Sequence, residues 1–535
     1  MTNKRILTNA SFVGDGGRPF RAVAIVAERI TAVGDLEEVR DSVGSGAEVV
    51  DLGGGTAFPG FTDNHVHVLN FGRSRMGVPC WPSDVDSVGD IVARVQEADR
   101  REPPGKWIKG RGYDPAKLSE KRAPTASELD LDGGRCVVLD SFDFHRRVAN
   151  HAALEAAGIG QETPNPADGE IIRDPSGIPT GELVDGARAL LDPVMPPWSD
   201  EEDETAIQIA TDHFLSLGFT YVTNAAPLTM SRRGEEVAAF LRLSQRDELR
   251  IRFTSMIRAE LLTEAAELGL RPGVGDRNFQ LGGAKVFADG ALGTRTAFVS
   301  DPYADGENSG SMRIETEQLA RLVQTGARVG WEMCVHAQGD KAVEVVAGLM
   351  AKHPPLRPGF SHRIEHCCLT SRATIARMAE SHIIPVPQLG FLRYRSPDFA
   401  AALGEDRVAQ LYPLRSWIDA GLRPIHSSDS PVISDARPLA AFATAMTRED
   451  ARGNVWGADE SISFAEALAM TTTWAAQASG AAQDRGRIKP GYLADFTVFD
   501  RDPGQVQPAD LAQVEPTMTI VGGDIAWRAG SDVGS

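Results

Sequence analysis

Hydrophobic and polar residues alternate in short runs near both ends of the chain, and this pattern is typical of β-strands. Four runs near the N-terminus are separated by turns rich in glycine and aspartate: Arg5–Leu7, Ala22–Val26, Ile30–Gly34 and Glu48–Leu52. Two runs near the C-terminus have the same pattern: Asp495–Asp500 and Met518–Gly523. We therefore predict that residues 1–56 and 485–535 together form a small β-sandwich domain.

Apolar strand-like runs alternate with helical patterns along residues 57–484, which is typical of βα units and of a parallel sheet. The predicted strands after the first are Phe219–Thr223, Ile251–Ile257, Gly283–Ala288, Trp331–His336, Arg363–His366, Ile383–Pro387 and Arg423–Ser427. Together with a first strand that leads to His65, they make eight, the number that closes a (β/α)₈ barrel. The sequence thus predicts an α/β fold with a TIM-like barrel beside the terminal β-sandwich.

A long stretch rich in proline and glycine, from about residue 77 to residue 200, follows the first barrel strand. It is too long for an ordinary connection between a strand and a helix. It contains a further strand candidate, Cys136–Asp140, which would be a ninth barrel strand. We therefore predict an inserted subdomain that contains this strand and covers the mouth of the barrel, where substrate specificity is set.

Composition narrows the classes of partner. The chain has 535 residues, of which 42% are hydrophobic, so it can bury a large core. A net charge of -19 disfavours a nucleic-acid partner, and no stretch is apolar for long enough to span a bilayer. Five cysteines without CxxC spacing are typical of a reducing compartment, so we expect a cytoplasmic protein. The expected partners are a small-molecule substrate and a second copy of the chain in a homodimer.

The first candidate for chemistry is the pair His65 and His67. Side chains one residue apart fall on the same face of a β-strand, because strand side chains alternate with a period of two. Both imidazoles could therefore bind one metal ion. A single His-x-His motif is weak evidence, and its value depends on the residues that follow along the chain.

Four more polar residues lie at the predicted strand ends: Lys285, His336, His366 and Asp429. Barrel enzymes place their active sites at these ends. Each residue also has a structural interpretation: an ion-paired lysine, two hydrogen-bonded core histidines, and an aspartate in a turn or helix cap. The functional interpretation of the lysine is an amine that has reacted with carbon dioxide, whose carbamate could bridge two cations. The convergence of all these groups on one end of the barrel favours a metal site.

The ordered set of motifs resembles the amidohydrolase superfamily and, within it, the YtcJ-like group, which includes N-substituted formamide deformylases. The motifs that carry the resemblance are Pro59–His67, Gly283–Gly290, Val335–Val343, His362–His366, Ser428–Val432 and Gly486–Asp495. They extend along nearly the whole chain. The resemblance implies a hydrolase that uses two metal ions, usually zinc.

By this resemblance, His65, His67 and Asp429 would bind the more buried ion. Imidazole and carboxylate groups are suitable ligands for Zn²⁺. A water between two cations would lose its proton near neutral pH and become the nucleophile. Asp429 would take a proton from that water and deliver one to the leaving amine.

The resemblance also implies a second, more exposed ion, bound by His336 and His366. A carboxylated Lys285 would bridge the two ions. The exposed ion would polarise the substrate carbonyl and stabilise the negative charge that develops on its oxygen.

Five further residues are candidates for substrate binding: His145, Asp289, Arg295, His362 and His426. His145 lies in the predicted insertion, where similar proteins carry the sequence Asp-Gly-His. This chain has Phe144 in place of the glycine, so the local loop differs from that of the family.

The other four candidates lie close to the predicted metal ligands. Asp289 and Arg295 belong to a glycine-rich segment that is either a substrate-binding loop or an ordinary barrel loop. His362 shares a strand face with His366 and is a rival ligand. His426 lies three residues before the predicted aspartate ligand and would support it or face the substrate.

We therefore predict a metal-dependent hydrolase of a non-peptide C–N bond, in an amide or in an N-acyl or N-formyl amine. A cyclic amidase, a deaminase or a lactonase could use the same barrel, and a non-catalytic binding protein is the alternative from another class. Aromatic residues suggest a hydrophobic, aryl-bearing substrate, although they could equally pack the insertion on the barrel: Trp81, Trp107, Tyr113, Phe142, Phe144, Trp198, Phe391 and Tyr394.

Overall fold

The computed structural model of the chain describes residues 4–14, 19–82, 84–142, 146–166, 169–225, 235–357, 359–433 and 435–530. The chain divides into two compact units. The first consists of Met1–Val68 and Ala210–Ser535, and the second of Leu69–Ile209. Among the described residues, we find no helix with the length and apolar character that crossing a membrane requires.

The strands are, in chain order, Lys4–Phe12 (β1), Phe20–Val26 (β2), Arg29–Gly34 (β3), Glu48–Asp51 (β4), Thr56–Pro59 (β5), Phe61–Val66 (β6), Val78–Pro79 (β7), Ile108–Tyr113 (β8), Val137–Ser141 (β9), Arg146–Ala149 (β10), Gly169–Arg173 (β11), Pro179–Asp185 (β12), Phe219–Asn224 (β13), Arg252–Arg258 (β14), Phe279–Phe287 (β15), Met333–Ala337 (β16), Arg363–His366 (β17), Ile384–Val386 (β18), Phe496–Phe499 (β19), Pro516–Val521 (β20) and Asp524–Arg528 (β21).

The α-helices are Leu36–Val43 (α1), Val68–Met76 (α2), Val88–Arg101 (α3), His151–Ala156 (α4), Asp200–Ser216 (α5), Glu235–Gln245 (α6), Leu262–Glu267 (α7), Thr316–Val329 (α8), Asp340–Lys352 (α9), Arg372–Glu380 (α10), Leu389–Leu403 (α11), Glu405–Val408 (α12), Leu414–Asp419 (α13), Pro438–Thr447 (α14), Phe464–Thr471 (α15) and Thr473–Ala478 (α16). Short 3₁₀ helices occupy Ser127–Leu129, Gly186–Leu191, Ala259–Leu261, Ala458–Glu460, Pro503–Gln505 and Pro508–Gln513.

Strands from both ends of the chain pair with each other in one sheet. Its order is β21-β20-β19-β5-β1-β2-β3, and β4 pairs with β1. Neighbouring residues of β1 face different cores, because Ile6 packs with α1 whereas Leu7 packs with Phe496 and Ile520. The pairing joins all eight strands in a single sheet, so the two-sheet sandwich predicted for these residues stays a prediction.

The apolar run before His65 contains two strands rather than one. β5 pairs with β1 and β19 in the terminal sheet, whereas β6 pairs with β13 in the barrel. Gly60 separates them, and a Cβ atom there would lie 2.2 Å from Oγ1 of Thr220. The chain therefore passes from the terminal sheet to the barrel at a position where a side chain would collide with the neighbouring strand.

Seven parallel strands form a nearly closed barrel in the order β6-β13-β14-β15-β16-β17-β18. The helices between them are amphipathic: α8 buries Leu319, Val323 and Ala327, which recur at intervals of four. The predicted α/β barrel is confirmed in this form, and each parallel strand ends with its C-terminus at the same mouth of the barrel.

The predicted eighth strand, Arg423–Ser427, is wrong, because no strand occupies these residues. Residues 425–430, which we call the closing segment, instead form hydrogen bonds with the two edge strands, β18 and β6, without a regular ladder. Ile425 N donates to Pro385 O (3.2 Å) of β18, and Asn64 N of β6 donates to His426 O (3.1 Å). Asp429 N donates to His65 O (2.8 Å), and the φ angle of 59° at Asp429 turns the segment away from extended geometry.

The second unit has a sheet of its own, with the order β7-β8-β9-β10-β12-β11. β7, β8 and β9 are parallel, whereas the remaining pairs are antiparallel. The strand candidate within the predicted insertion lies here as β9, apart from the barrel sheet. Helix α3 begins with a capping box between Ser87 and Asp90 and buries Ile91 and Val95 in the core of this unit.

Candidate metal centre

Three ligand-type side chains meet where the closing segment contacts β6. His65 is the next-to-last residue of β6 and His67 directly follows the strand, and their ring centres lie 5.5 Å apart. The Nε2 atoms of His65 and His67 lie 3.5 Å and 3.2 Å from Oδ1 of Asp429. One potential ligand atom from each of the three buried residues lies within 4.8 Å of the others, so the group could hold one metal ion.

Asp63 fixes the backbone around this group. Its Oδ1 accepts hydrogen bonds from His65 N (3.2 Å) and from Ser428 N (3.1 Å) of the closing segment. Burial raises the pKa of Asp63 to about 7, although these hydrogen bonds oppose the shift. One carboxylate thus links the strand that carries the histidines to the segment that carries Asp429.

Lys285 of β15 lies beside the histidine pair. Its Nζ is 3.3 Å from Nε2 of His65 and 4.6 Å from the ring centre of Phe287. Burial lowers the pKa of Lys285 to about 8, because an ammonium loses its hydration there, although the charges of Glu365 and Asp429 favour the charged form. A lysine with this pKa has an appreciable fraction of neutral, nucleophilic amine near neutral pH.

His336 and His366 form a second pair. Their ring centres lie 4.3 Å apart, and that of His366 lies 5.2 Å from that of His65. Burial, together with the charge of Lys285, lowers the pKa of His336 to about 3, and burial also lowers the pKa of His366 well below its usual value. Both imidazoles are therefore neutral at physiological pH, which is the form that binds metals.

The hydrogen bond of His336 shows which of its ring nitrogens could bind a metal ion. The imidazole of His336 bonds to Gly290 O (2.8 Å) through Nε2, so Nε2 carries the proton and Nδ1 carries the lone pair. Among the described residues, Nδ1 of His336 is buried without a hydrogen-bond partner, and the buried Oδ1 of Asp429 faces Nε2 of His65 and Nε2 of His67. Buried polar atoms are usually paired, so this group of acceptors fits a divalent cation.

Glu365 and Arg363 also face the site, although sequence reasoning gave them no role. Oε2 of Glu365 lies 2.5 Å from Nδ1 of His65, and Nε of Arg363 donates to Oε1 of Glu365 at 2.8 Å. Glu365 is completely buried. A signal was present in the sequence, because an acidic residue inside a four-residue buried strand needs a charged or hydrogen-bonding partner.

Asp289 is surrounded by backbone donors. It accepts hydrogen bonds from Phe298 N (3.0 Å), Gln338 N (3.1 Å) and Gly339 N (3.0 Å). Burial raises its pKa to about 6, against the effect of these donors. Asp289 thus holds the loop after β15 against the loop after His336, and we propose no substrate contact for it.

His362 lies away from the ligand group. Its Nδ1 accepts from Met333 N (2.9 Å), and its Nε2 bonds to His353 O (2.7 Å). Both ring nitrogens are therefore occupied by the main chain. The structure gives His362 the position of a core histidine rather than that of a rival to His366.

The remaining substrate candidates are dispersed. His426 is buried and stacks on Phe219 with ring centres 6.1 Å apart, and burial lowers its pKa to about 4. Arg295 forms an ion pair with Asp305 (2.6 Å) at the surface of its loop. His145 lies outside the described residues.

Comparison with known proteins shows the family of the chain. The model of the amidohydrolase family matches residues 48–526, and the chain belongs to this family. The chain is 30% identical to YtcJ of Bacillus subtilis (strain 168), which is named as an amidohydrolase, over 93% of this chain and 94% of that protein. It is 29% identical to the N-substituted formamide deformylase of Arthrobacter pascens, over 96% of each.

A solved structure has the same fold. It is an uncharacterized metal-dependent hydrolase from Pyrococcus horikoshii OT3, 26% identical, with a TM-score of 0.80 over 95% of this chain and 99% of that one. The resemblance to the YtcJ-like amidohydrolases is thereby confirmed. The protein is an enzyme, an amidohydrolase that acts on carbon–nitrogen bonds.

Proposed function

We propose that the enzyme hydrolyses a non-peptide C–N bond, in an amide or in an N-acyl or N-formyl amine, with two divalent metal ions. The observation that carries this proposal is the convergence of His65, His67 and Asp429 with His336 and His366 at one mouth of the barrel. The 29% identity to a formamide deformylase over 96% of the chain supports the N-formyl class of substrate.

His65, His67 and Asp429 would hold the more buried ion, and His336 and His366 the second. Neutral nitrogen ligands with one carboxylate favour Zn²⁺. When bound, the ions would lower the pKa of a water molecule and polarise the substrate carbonyl. We propose these assignments because the ligand residues are buried, burial lowers the pKa of both histidines of the second pair, and Nδ1 of His336 has no hydrogen-bond partner within the described structure.

Lys285 would bridge the two groups as a carbamate. Its Nζ lies 3.3 Å from Nε2 of His65, and its lowered pKa supplies the neutral amine that attacks carbon dioxide. In that step the nitrogen lone pair forms a bond to the carbon of CO₂, one C=O π bond opens onto its oxygen, and the proton of the amine passes to a base in the solvent such as bicarbonate. The product is a carbamate anion with two oxygens. The buried side chain of Lys285 is then negatively charged and compatible with metal ions, whereas its ammonium form is not.

Asp429 would move the proton during catalysis. A carboxylate has two oxygens, so one can bind an ion while the other accepts a proton from the attacking water. The same oxygen would then deliver the proton to the leaving nitrogen, which cannot depart as an anion. Its position on the closing segment, with Oδ1 3.2 Å from Nε2 of His67, supports this role.

Aromatic rings beside the second histidine pair support an aryl-bearing substrate. The ring centre of Phe287 lies 5.2 Å from that of His336, and the ring centre of Phe391 lies 6.3 Å from that of His366. Both phenylalanines are only partly buried, and Nζ of Lys285 lies 4.6 Å from the ring centre of Phe287. Such rings stabilise an aryl group by burial and by offset or edge contacts.

Metal analysis and a hydrolysis screen of the full chain test the proposal. After addition of Zn²⁺ and bicarbonate, we expect about two zinc ions per chain and release of the amine from N-formyl or N-acyl aryl amines. The variant His366→Ala should lose one ion, whereas the control His151→Ala, at an exposed histidine of the second unit, should keep both. A protein that binds no transition metal after this treatment would contradict the proposal.

A further inference from the structure

A buried ionic contact orients one of the candidate ligands. Oε2 of Glu365 lies 2.5 Å from Nδ1 of His65, and neither side chain is exposed. Since a carboxylate can only accept a hydrogen bond, the proton lies on Nδ1 and the lone pair lies on Nε2. Nε2 is the atom that faces Asp429 at 3.5 Å and Lys285 at 3.3 Å.

Arg363 holds Glu365 in this position. Nε of Arg363 donates to Oε1 of Glu365 (2.8 Å), and its Nη2 donates to Oε2 (3.1 Å) and to Asn64 O (2.7 Å). Asn64 directly precedes His65, so Arg363 is bonded both to the carboxylate that contacts His65 and to the backbone next to His65. The guanidinium matches both carboxylate oxygens, which a lysine could not do.

We propose that Glu365, held by Arg363, is the positioning residue of the more buried metal site. It fixes the tautomer of His65 and directs Nε2 of that histidine toward the ion. This inference rests on the proposed two-metal function. Carboxylates that accept a hydrogen bond from a ligating histidine orient the ring and raise its basicity.

The second site uses a different arrangement. His336 has a neutral orienting partner, Gly290 O at 2.8 Å, which is bonded through Nε2. The two sites therefore differ in the ring atom that is free for metal and in the charge of the group behind it. Loss of the Glu365 carboxylate should weaken the binding of one ion only.

The variant Glu365→Gln tests this inference through metal affinity. Chelator competition with Zn²⁺ should show one site weakened by roughly 10- to 100-fold and the other unchanged. The matched control is Glu332→Gln, because Glu332 is also a buried acid beside Arg363 yet has no contact with a candidate ligand in the described residues. Equal affinities in Glu365→Gln and the wild type would overturn the inference, and so would an equal loss in both variants.

Arg363→Lys is the second variant, and it tests the positioning role independently if Glu365→Gln fails to fold. It keeps the positive charge but not the paired donors, so it should weaken the same single site. An unchanged affinity of that site in folded Arg363→Lys would exclude the arginine from the positioning role.

A measurement without metal separates this inference from the proposed function. In the metal-free enzyme with ¹⁵N-labelled histidine, the His65 ring should show a strongly downfield Nδ1–H signal that moves upfield in Glu365→Gln, where the acceptor is neutral, and is unchanged in Glu332→Gln. If the wild type binds no zinc but shows this signal, the proposed function fails while the orientation of His65 stands. If the signal is absent from the wild type, or keeps the same chemical shift in Glu365→Gln, the positioning role fails.

Discussion

Nε2 of His67 lies 3.2 Å from Oδ1 of Asp429, so a side chain from the exit of β6 meets one from the closing segment. Asp429 adopts a φ of 59°, a left-handed conformation that is uncommon for residues other than glycine. The backbone bond from Asp429 N to His65 O (2.8 Å) maintains it. Strain of this kind persists at functional sites because the surrounding contacts determine the conformation.

Replacement of Asp429 by asparagine should reduce kcat by about 10²- to 10⁴-fold, because the amide cannot accept and return a proton. The side chain keeps its size, so the fold should remain. Steady-state hydrolysis of an N-formyl aryl amine measures the effect, with zinc content determined on the same sample. Turnover close to that of the wild type would exclude Asp429 as the proton carrier.

Lys285→Ala should abolish hydrolysis, because the bridging carbamate is lost. A short carboxylic acid such as acetate should restore part of the activity, since its two oxygens can occupy the place of the carbamate. The control is Lys341→Ala, at an exposed lysine of α9 that pairs with Glu344. The bridging role is refuted by full activity in Lys285→Ala without added acid.

Reactivation of the metal-free enzyme should depend on pH. The pKa of Lys285 is lowered to about 8 by burial, so the neutral fraction of the amine increases as the pH rises through that value. At a fixed concentration of dissolved CO₂, the rate of reactivation by Zn²⁺ should therefore rise from about pH 7 to about pH 9. If Lys285 had the usual lysine pKa of about 10.4, the rate of reactivation would continue to rise above pH 9. A rate that does not depend on pH would argue against carbamate formation.

Asp495→Asn should destabilise the first unit. Nε and Nη2 of the buried Arg252 donate to Asp495 at 2.9 Å and 3.2 Å, next to β19. Removing one partner of a buried ion pair costs about 3–5 kcal/mol. Denaturant unfolding measures the loss, and Asp500→Asn is the control, because its pair with Arg501 is exposed and worth about 0–1 kcal/mol. A loss no larger than that of the control would refute the importance of the pair.

Phe391→Ala should reduce kcat/KM for aryl substrates more than for alkyl substrates. The half-buried ring lies 6.3 Å from His366, where it could contact the aryl group of a substrate. Aromatic contacts contribute about 0.5–1.5 kcal/mol beyond burial, which corresponds to a several-fold preference. An N-formyl arylamine and an N-formyl alkylamine provide the comparison. An equal decrease for both would indicate that Phe391 supports the site without selecting the substrate.

Four of the six candidate ligands could be singled out from the sequence because they lie on predicted barrel strands: His65, Lys285, His336 and His366. Strand periodicity places His65 and His67 on one face, and the ends of parallel strands bring His336 and His366 to the same mouth. An acidic residue within a short strand indicated that Glu365 needs a partner, but the sequence did not reveal that partner, because His65 is remote in the chain and no local pattern encodes the contact.

The eighth strand was mispredicted for a related reason. Arg423–Ser427 contains one strand-favouring residue, Ile425, together with Pro424, which disfavours a central strand. Its hydrogen bonds are determined by tertiary contacts instead, including the bond from the side chain of Asn64 to His426 O at 2.9 Å. Asp63 likewise accepts from Ser428 N where a strand would offer a backbone carbonyl.

The closing segment both closes the barrel between β18 and β6 and carries Asp429 of the candidate metal centre. A fluctuation that parts the segment from β6 would break the bonds from Asp429 N to His65 O and from His67 N to Ser430 O, both 2.8 Å long. The same opening would separate Asp429 from both histidines. A bound ion would therefore stabilise the contact between the closing segment and β6. Amide hydrogen exchange at His67 and Asp429 should slow as the metal site is occupied.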